Sequence, residues 1–368
     1  MKILDTIQRA LTAAGLDTPK GPIRSVTETI EQALSAAGLG KGANAPVGRA
    51  TVIEVSPPRD DAAGDAGDGR ATVRPGTPAG SAGAGDFITR SYGNDAGTRS
   101  YKLYVPAGYA GGAGDAVPLL VMLHGCTQSA DDFAAGTRMN ALADRHGFLV
   151  VYPEQAADAN GSKCWNWFRR GDQGRDHGEP SLIAGITREV ASRYHVDQRR
   201  IFVAGLSAGA AMAVILGAAY PELYAAVGAH SGLPHGAADD MASAFGAMKR
   251  GPSAGRGSRP RAAAAVPGRA TGQAVPTIVF HGDRDHTVHA SNGAAIVAQA
   301  RAGRADAARL RASVRDDVAA GGRSHRHTVY ADADDRPVVE QWELHGAGHA
   351  WSGGSSGGSF TDALGPDA

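Results

Sequence analysis

A serine in the setting of a catalytic nucleophile lies near the middle of the chain. Residues 205–209 read Gly-Leu-Ser-Ala-Gly, and they follow a short apolar strand at 201–204 and precede an Ala-rich helical segment at 210–219. Such a turn holds the serine hydroxyl out of the sheet at the positive end of a helix, where developing negative charge is favoured. Ser207 is therefore a candidate nucleophile for acyl transfer, although a tight turn in a Gly-rich chain can match the same pattern by chance.

An acid and a histidine follow Ser207 in the order that a serine triad on this kind of turn requires. Asp283 and Asp285 come directly after an apolar run, and His349 follows the last predicted strand. Ser207 would attack a carbonyl carbon, His349 would take the hydroxyl proton, and an aspartate would orient the imidazole. We expect Asp285 to be this aspartate, with Asp283 as the alternative, because the loop after such a strand usually places its acid later.

Two backbone N–H groups should bind the oxyanion that forms in such a reaction. One is expected to be that of Ala208, directly after the nucleophile, and the other that of Cys126, in the loop after an apolar strand. His124 precedes this loop, and we expect it to shape the loop rather than to act as a base.

Strands and helices alternate after residue 86, which predicts an α/β fold with a mostly parallel, doubly wound sheet and helices on both faces. Several strands are continuous apolar runs, as is typical of strands that are covered on both faces. The predicted strands are 87–89, 100–105, 118–123, 148–152, 201–204, 225–229, 277–280 and 338–344. The predicted helices are 133–146, 182–194 with Ser181 as a candidate cap, and 210–219.

The chain divides into three parts by composition. Residues 1–40 show two short amphipathic patterns and predict a helical N-terminal arm, which either packs on the main domain or docks on an apolar surface. Residues 41–85 are rich in Gly, Ala and Pro and predict a flexible linker. Residues 86–368 form the predicted catalytic domain, with a disordered or lid-like insertion near 236–274.

Composition and charge restrict the partners and the compartment. Hydrophobic residues make up 42% of the 368 residues and the formal net charge is zero, so a sizeable core is expected and nucleic acid is not an expected partner. No apolar run approaches the ~20 residues of a transmembrane helix. Asp5, Gln8 and Arg9 interrupt the apolar core of a signal peptide, so we expect a cytoplasmic protein, or a secreted one whose leader was removed.

The two cysteines, Cys126 and Cys164, lack the neighbours of a zinc site, and no metal or organic cofactor is expected. Thiols of a cytosolic chain usually stay reduced.

The motifs together resemble the poly(3-hydroxybutyrate) depolymerase family of esterases. The resemblance extends from about residue 87 to the C-terminus, and the joint occurrence of five motifs is more specific than any one of them. These motifs are His124-Gly-Cys-Thr-Gln-Ser129, Cys164-Trp-Asn-Trp-Phe168, Gly205-Leu-Ser-Ala-Gly-Ala-Ala-Met212, His281-Gly-Asp-Arg-Asp285 and Gly346-Ala-Gly-His349.

The resemblance implies an α/β-hydrolase with a Ser207–Asp285–His349 triad. It implies hydrolysis of a short-chain hydroxyacid polyester, or of its oligomers, through an acyl-enzyme intermediate. It also implies that Cys126 pairs with Cys164, because the two positions recur together in the family. The family includes feruloyl and acetyl-xylan-type esterases, which are the alternative function, since the triad does not separate them. A non-catalytic granule protein is a third hypothesis, against which the complete triad order argues.

The chain departs from the secreted members of the family in ways that resemble its intracellular, granule-associated members. It has no evident leader, no recognisable substrate-binding domain after the catalytic one, and an additional N-terminal arm. The fold usually closes with a helix after the catalytic histidine, but residues 351–368 are rich in Gly and Ser. We therefore expect that this helix is missing or that the chain is truncated, and that the loop of His349 is less well supported.

Two tryptophans are the expected substrate contacts. A polyester is uncharged and moderately apolar, so its site should offer apolar and aromatic surface with few charges. Trp165 would be held near the oxyanion loop, and Trp351 follows His349 closely. Trp167 and Phe168 are equally well explained by packing in the core.

Overall fold

The computed structural model describes residues 85–251 and 274–368. The predicted N-terminal arm lies outside these residues, as do all but the last residue of the predicted linker and residues 252–273 of the predicted insertion. The first strand begins at Asp86, where the sequence analysis placed the start of the catalytic domain.

A ten-stranded sheet runs through the described residues in the order β1-β2-β4-β3-β5-β6-β7-β10-β9-β8. The six strands from β4 to β10 in this order run parallel, and antiparallel pairs complete both edges. A separate two-stranded sheet joins β11 to β12. In chain order the strands are β1 (Asp86–Asn94), β2 (Gly97–Val105), β3 (Val117–Leu123), β4 (Leu149–Pro153), β5 (Val196–Leu206), β6 (Ala226–His230), β7 (Thr277–Gly282), β8 (Arg311–Val318), β9 (Ser324–Ala331), β10 (Pro337–Leu344), β11 (Trp351–Ser352) and β12 (Thr361–Asp362).

Helices cover both faces of the sheet. The described helices are α1 (Ala130–Thr137), α2 (Met139–His146), α3 (Gly178–Arg193), α4 (Ala208–Ala219), α5 (Met241–Arg250) and α6 (Ser291–Ala302). Alternate side chains of β3 enter different cores: Val121 packs in a cluster with residues of α3 and α4, and Met122 packs in a cluster with residues of α1 and α2. The continuous apolar runs therefore correspond to strands that are buried on both faces, as predicted.

The turn between β5 and α4 holds Ser207 in a strained backbone conformation. Its φ is 58° and its ψ is −118°, in a region that residues with a side chain rarely adopt. The turn also needs close packing, because a side chain at Gly209 would collide with the backbone carbonyl oxygens of Leu123 and His124 at the end of β3. The glycine at this position thus lets α4 start directly behind Ser207.

Three predicted elements differ from the structure. The single helix predicted over 133–146 is two helices, because Arg138 adopts a left-handed conformation (φ 57°) between α1 and α2. Ser181 is not a cap, since α3 begins at Gly178 and His177 precedes it. The predicted disordered insertion begins with an ordered helix, α5, whose first turn is capped by Asp240 through a reciprocal pair of hydrogen bonds with Ser243.

Neither α6 nor the β8–β9 hairpin was predicted from the sequence. The apolar positions of α6 are few, and all eight residues of β8 are exposed on both faces. Neither element carries the buried apolar pattern on which such predictions rest. No helix of the described residues is long and apolar enough to cross a bilayer.

Candidate active site

The three residues of the predicted triad follow the carboxyl ends of three parallel strands. Ser207 follows β5, Asp285 lies three residues after β7, and His349 lies five residues after β10. Since β5, β6, β7 and β10 are neighbours in this order, these loops meet at one edge of the sheet, where ligand sites of open α/β sheets are found.

A hydrogen bond joins the acid to the histidine. His349 Nδ1 lies 2.7 Å from Asp285 Oδ2. The Asp285 side chain is fully buried, whereas that of His349 retains some exposure. With Nδ1 donating to the carboxylate, Nε2 of the neutral imidazole is left as the proton acceptor, which is the tautomer that a general base needs.

Several donors keep Asp285 ionised. Burial raises the cost of its charge, but hydrogen bonds from His281 and His349 outweigh this effect and hold the pKa of the Asp285 carboxyl well below its usual value. The backbone N–H groups of Thr287 and Val288 donate to its other oxygen at 2.9 and 2.8 Å. The carboxylate therefore stays charged when the imidazole becomes protonated during a reaction cycle.

Asp283, the alternative acid, takes a different role. Its carboxylate accepts from the backbone N–H of Gly346 at 2.7 Å and lies 3.1 Å from His345 Nδ1. Asp283 thus ties the loop after β7 to the loop that carries His349, and it does not contact the His349 ring through any hydrogen bond of the described residues.

Ser207 completes the arrangement from β5. Its N–H donates to the carbonyl of His230 at 2.9 Å, which fixes the turn to the end of β6. Among the hydrogen bonds of the described residues, none joins Ser207 Oγ to His349. Catalytic hydrogen bonds are often long without a substrate and shorten when one binds.

The two predicted oxyanion donors have free N–H groups. The hydrogen bonds of the described residues include none from the N–H of Cys126 or from that of Ala208, and the latter opens α4, where the first N–H groups have no partner within the helix. The loop of Cys126 lies against the nucleophile, since a Cβ on Gly125 would be 3.6 Å from Ser207 Cβ. Both donors are thus available beside the serine.

A disulfide bond joins Cys126 to Cys164 in the structure. A backbone hydrogen bond from Thr127 to the carbonyl of Ser162 (2.7 Å) links the same two loops. The oxyanion loop is therefore held at two adjacent points by the loop that precedes Trp165.

A buried carboxylate that the sequence analysis missed anchors this second loop. Glu179, at the start of α3, accepts hydrogen bonds from the backbone and side-chain nitrogens of Asn166, both at 2.7 Å, and forms an ion pair with Arg99. Gln155 donates to Glu179 and to the carbonyl of Cys164. Burial raises the pKa of Glu179 despite these contacts. The buried charge of Glu179 is therefore tolerated only while these hydrogen-bond donors remain in place.

His230 is a second residue that the sequence analysis missed. It ends β6 beside Ser207, is fully buried, and stacks between Phe280 and Trp351 with ring centroids at 5.7 and 5.5 Å. Its Nε2 accepts from the backbone N–H of Ser352 at 3.0 Å. His230 thus fixes the segment that directly follows His349, and its position at the end of a strand next to β5 is the sequence signal that could have revealed it.

The predicted roles of Trp165 and Trp351 as substrate contacts are wrong. Trp165 has no exposed surface and packs against His124. Trp351 is 5% exposed and lies between Phe133 and His230. Both rings contribute to the core below the catalytic loops, because each finds an aromatic partner there.

The segment after His349 supports the site without a helix. The described residues 350–368 contain only β11, β12 and turns. Two residues of this segment, Ser359 and Asp362, contact the rest of the domain. The side-chain nitrogen of Gln128 donates to the carbonyl of Ser359, and Oε1 of Gln128 accepts from the N–H of Gly125. Arg323 forms an ion pair with Asp362. The expectation of a poorly supported His349 loop is therefore wrong, since the segment packs directly against the oxyanion loop.

Other histidines of the site shape its loops. The ring of His124 accepts from the N–H of Gln155 through Nε2 (3.1 Å), and burial lowers its pKa, so it stays neutral and holds the oxyanion loop, as expected. No group of three or more His, Cys, Asp and Glu side chains within 85–251 and 274–368 has the arrangement of a metal site.

Residues 99–320, more than half of the chain, match the protein family described as Esterase PHB depolymerase. This range contains Ser207 and Asp285, and His349 follows it.

The chain is also similar in sequence to individual proteins of other organisms. The chain is 33% identical over 259 residues to poly(3-hydroxyalkanoate) depolymerase C of Paucimonas lemoignei, and the matched region covers 70% of this chain and 60% of that protein. It is 33% identical over 150 residues to a probable acetylxylan esterase A of Aspergillus fumigatus, and the matched region covers 40% of this chain and 38% of that protein. The chain thus spans less than two thirds of the length of these relatives.

A solved structure with the same fold is the acetyl xylan esterase from Aspergillus awamori. It superposes with a TM-score of 0.58 at 22% identity, over 73% of this chain and 94% of that one. At this identity the likeness concerns the fold, and the predicted α/β-hydrolase fold is confirmed.

The two acids after β7 should differ sharply in their effect on catalysis. We expect Asp285→Asn to lower kcat for p-nitrophenyl butyrate by about 10⁴-fold, because an amide would favour the wrong tautomer of His349 and would not stabilise its charged form. The matched variant Asp283→Asn should lose less than about tenfold, since it weakens only a loop contact. A larger loss in Asp283→Asn than in Asp285→Asn would contradict the assignment.

Buried histidines should make the protein less stable in mild acid. Burial lowers the pKa of His230 to about 3, whereas a histidine of an unfolded chain titrates near ~6.5. The unfolded state therefore binds one more proton between these values, and the free energy of unfolding falls as pH decreases, by up to about 1.4 kcal/mol per pH unit for this group. Burial lowers the pKa of His124 and His235 in the same direction.

Urea unfolding at pH 7, 6 and 5 measures this loss. In His230→Gln the free energy of unfolding should fall less steeply with decreasing pH, by an amount that corresponds to the uptake of up to one proton fewer on unfolding. In the exposed control His146→Gln the dependence on pH should equal that of the unmodified protein. An identical decline in His230→Gln would show that His230 does not stay neutral in the folded state.

Proposed function

Because the chain belongs to the PHB depolymerase family of esterases, we propose that it is a serine esterase that hydrolyses poly(3-hydroxybutyrate) or its oligomers through an acyl-enzyme intermediate. The observation that carries this proposal is the hydrogen bond between His349 and the buried Asp285 at the sheet edge where Ser207 is presented. The name of the Paucimonas lemoignei relative supports the polyester substrate.

The geometry supports the following reaction. Ser207 Oγ attacks the ester carbonyl carbon while His349 Nε2 takes the hydroxyl proton, and the N–H groups of Cys126 and Ala208 bind the oxyanion. The C–O bond then breaks, the imidazolium gives its proton to the departing alcohol, and the acyl group remains on Ser207. Water then attacks the acyl-enzyme while His349 Nε2 takes a proton from it. The bond between the acyl carbon and Ser207 Oγ breaks, the imidazolium returns the proton to Oγ, and the acid is released. Asp285 stabilises the charged imidazole in both steps.

An apolar surface next to the acid loop supports a polymeric substrate. Met241 and Phe245, which lie one turn apart on α5, are 51% and 59% exposed. The C-terminal end of the same helix contacts the loop of Asp285, because the N–H of His289 donates to the carbonyl of Met248 and Lys249 Nζ donates to the carbonyl of His286. Exposed apolar side chains at this position suit an insoluble, uncharged polyester.

The alternative is an esterase of the acetyl-xylan or feruloyl type. The name of the Aspergillus fumigatus relative favours it. A soluble sugar or aryl ester would not need the exposed side chains of α5, so activity on the polymer separates the two functions.

The function is tested by the clearing of a suspension of amorphous poly(3-hydroxybutyrate) granules, with p-nitrophenyl butyrate and acetylated xylan assayed in parallel. We expect the enzyme to clear the granules and to cleave the soluble butyrate, and Ser207→Ala to lose both activities. Cleavage of acetylated xylan without clearing would favour the alternative, and full activity of Ser207→Ala on all substrates would exclude a Ser207 mechanism.

Replacement of the exposed apolar side chain of Phe245 should affect the polymer alone. We expect Phe245→Ser to lower the clearing rate several-fold with an unchanged kcat/KM for p-nitrophenyl butyrate, because adsorption to an apolar surface depends on the apolar area buried. The control is Leu364→Ser, which removes a side chain that is 54% exposed in the C-terminal segment. Equal losses in the two variants would argue against α5 as the polymer contact.

The disulfide bond bears on the compartment. Disulfides persist in oxidising environments and are rare in the cytosol, so the bond between Cys126 and Cys164 favours the secreted alternative over the cytoplasmic one. When free thiols are alkylated at lysis of the native host, mass spectrometry of the purified, unreduced protein should find no alkylated cysteine. Two free thiols would support the cytoplasmic expectation instead.

A further inference from the structure

The outermost strand of the sheet, β8, has an exposed and unpaired edge. It pairs with β9 on one side, and within the described part of the chain no strand pairs with its other side. All eight of its residues are exposed, and Val314 and Val318 are 60% and 61% exposed. A long, exposed edge strand with apolar side chains is a template for pairing with another chain.

The hydrogen bonds of the hairpin identify which backbone groups lie on this edge. Residues of an antiparallel pair alternate between those bonded to the neighbour and those facing away. At the turn, Ala319 N–H donates to the carbonyl of Arg323, and on the other side of β9 the N–H of His345 donates to the carbonyl of Ser324. Odd-numbered residues of β8 therefore bond to β9. The backbone groups that face outwards are those of Ala312, Val314, Asp316 and Val318, and the N–H of Val318 donates to Asp317 Oδ1 at 2.8 Å.

These groups restrict how two copies of β8 could pair. Even-numbered residues of one copy can bond only to even-numbered residues of the other, so a residue must lie on the two-fold axis of an antiparallel pair. With Val314 on the axis, Arg311 of each copy lies opposite Asp317 of the other. Registers centred on Ser313, Arg315 or Asp316 instead place like charges opposite each other, which is destabilising.

The register centred on Val314 also matches the apolar face. Val314 lies opposite its own equivalent, and Val318 lies opposite Leu310 of the second copy. The remaining charge on this face, Asp316, is already paired with Arg326 of β9. Every residue from 310 to 318 thus finds a neutral or oppositely charged neighbour.

We propose that two copies of this chain associate through antiparallel pairing of their β8 strands, with Val314 on the two-fold axis. The pairing extends the sheet across both copies and leaves the catalytic edge loops of each copy unchanged. Two eight-residue strands bury less surface than a permanent interface usually does, so the dimer is reversible and depends on concentration. This inference does not rest on the proposed substrate.

Sedimentation velocity of the full chain over a range of concentrations is the first measurement. We expect a monomer–dimer equilibrium. A monomer at every concentration up to about 100 μM, well above the Kd expected of a specific weak dimer, would overturn the proposal.

Two charge variants test the register. Arg311→Asp places Asp opposite Asp317, and Asp317→Arg places Arg opposite Arg311, so each variant alone should dimerise at least roughly tenfold more weakly. Mixed together, the two variants should form a heterodimer, because both positions are then occupied by opposite charges. The pairing of Arg311 with Asp335 in the same chain is exposed, and its loss in Arg311→Asp should cost little.

The control is Arg315→Asp, which makes the same change of charge on the same strand but lies opposite the uncharged Ser313 of the second copy. It should dimerise nearly as well as the unmodified protein. All variants should hydrolyse p-nitrophenyl butyrate at the unmodified rate, which shows that they are folded. Dimers of undiminished strength in both charge variants, or a mixture that does not dimerise, would overturn pairing through β8.

Discussion

The hydrogen bond between Asp285 and His349 brings together two loops that are 64 residues apart in the sequence, and the rest of the catalytic edge is arranged around it. Backbone hydrogen bonds between residues that precede Asp285 and residues that precede His349 also join the two loops. Asp283 N–H donates to the carbonyl of Leu344, and Arg284 N–H donates to the carbonyl of Ala347. Gly282 lies so close to Ala347 that no larger residue fits. The parallel pairing of β7 and β10 below these loops makes such close contact possible.

Support for Ser207 and for the loop of Cys126 comes from residues outside the proposed triad. The disulfide bond ties the loop of Cys126 to the loop of Cys164, which Glu179 anchors through Asn166. Gln128 and the C-terminal segment hold the loop of Cys126 from another side. Because the oxyanion donors are backbone N–H groups, their positions depend on how rigidly the loop itself is held. The buried aromatic rings of Trp165 and Trp351 contribute to this support. This packing role explains why the two tryptophans, which lie next to candidate catalytic residues, are not exposed to a substrate.

The sequence predicted which candidate catalytic residues lie at one edge of the sheet better than it predicted the residues that surround them. The order of Ser207, Asp285 and His349, and the buried strands that precede them, follow from local patterns, so they could be inferred residue by residue. The burial of Trp165 depends on partners that are distant in the sequence. At the break between α1 and α2 the left-handed residue is Arg138 and not the nearby Gly136, so the sequence did not mark where the helix ends. The exposed β8 strand carries charges where a typical strand alternates apolar and polar residues, so periodicity does not reveal it.

The central claim is that Ser207 becomes acylated during turnover. The most direct measurement is mass spectrometry of the protein after a reaction with a 3-hydroxybutyrate oligomer is quenched in acid within milliseconds. We predict a 3-hydroxybutyryl adduct on the peptide that contains Ser207, at a stoichiometry that rises with substrate concentration. An adduct on another residue, or turnover by Ser207→Ala at the unmodified rate, would contradict the account.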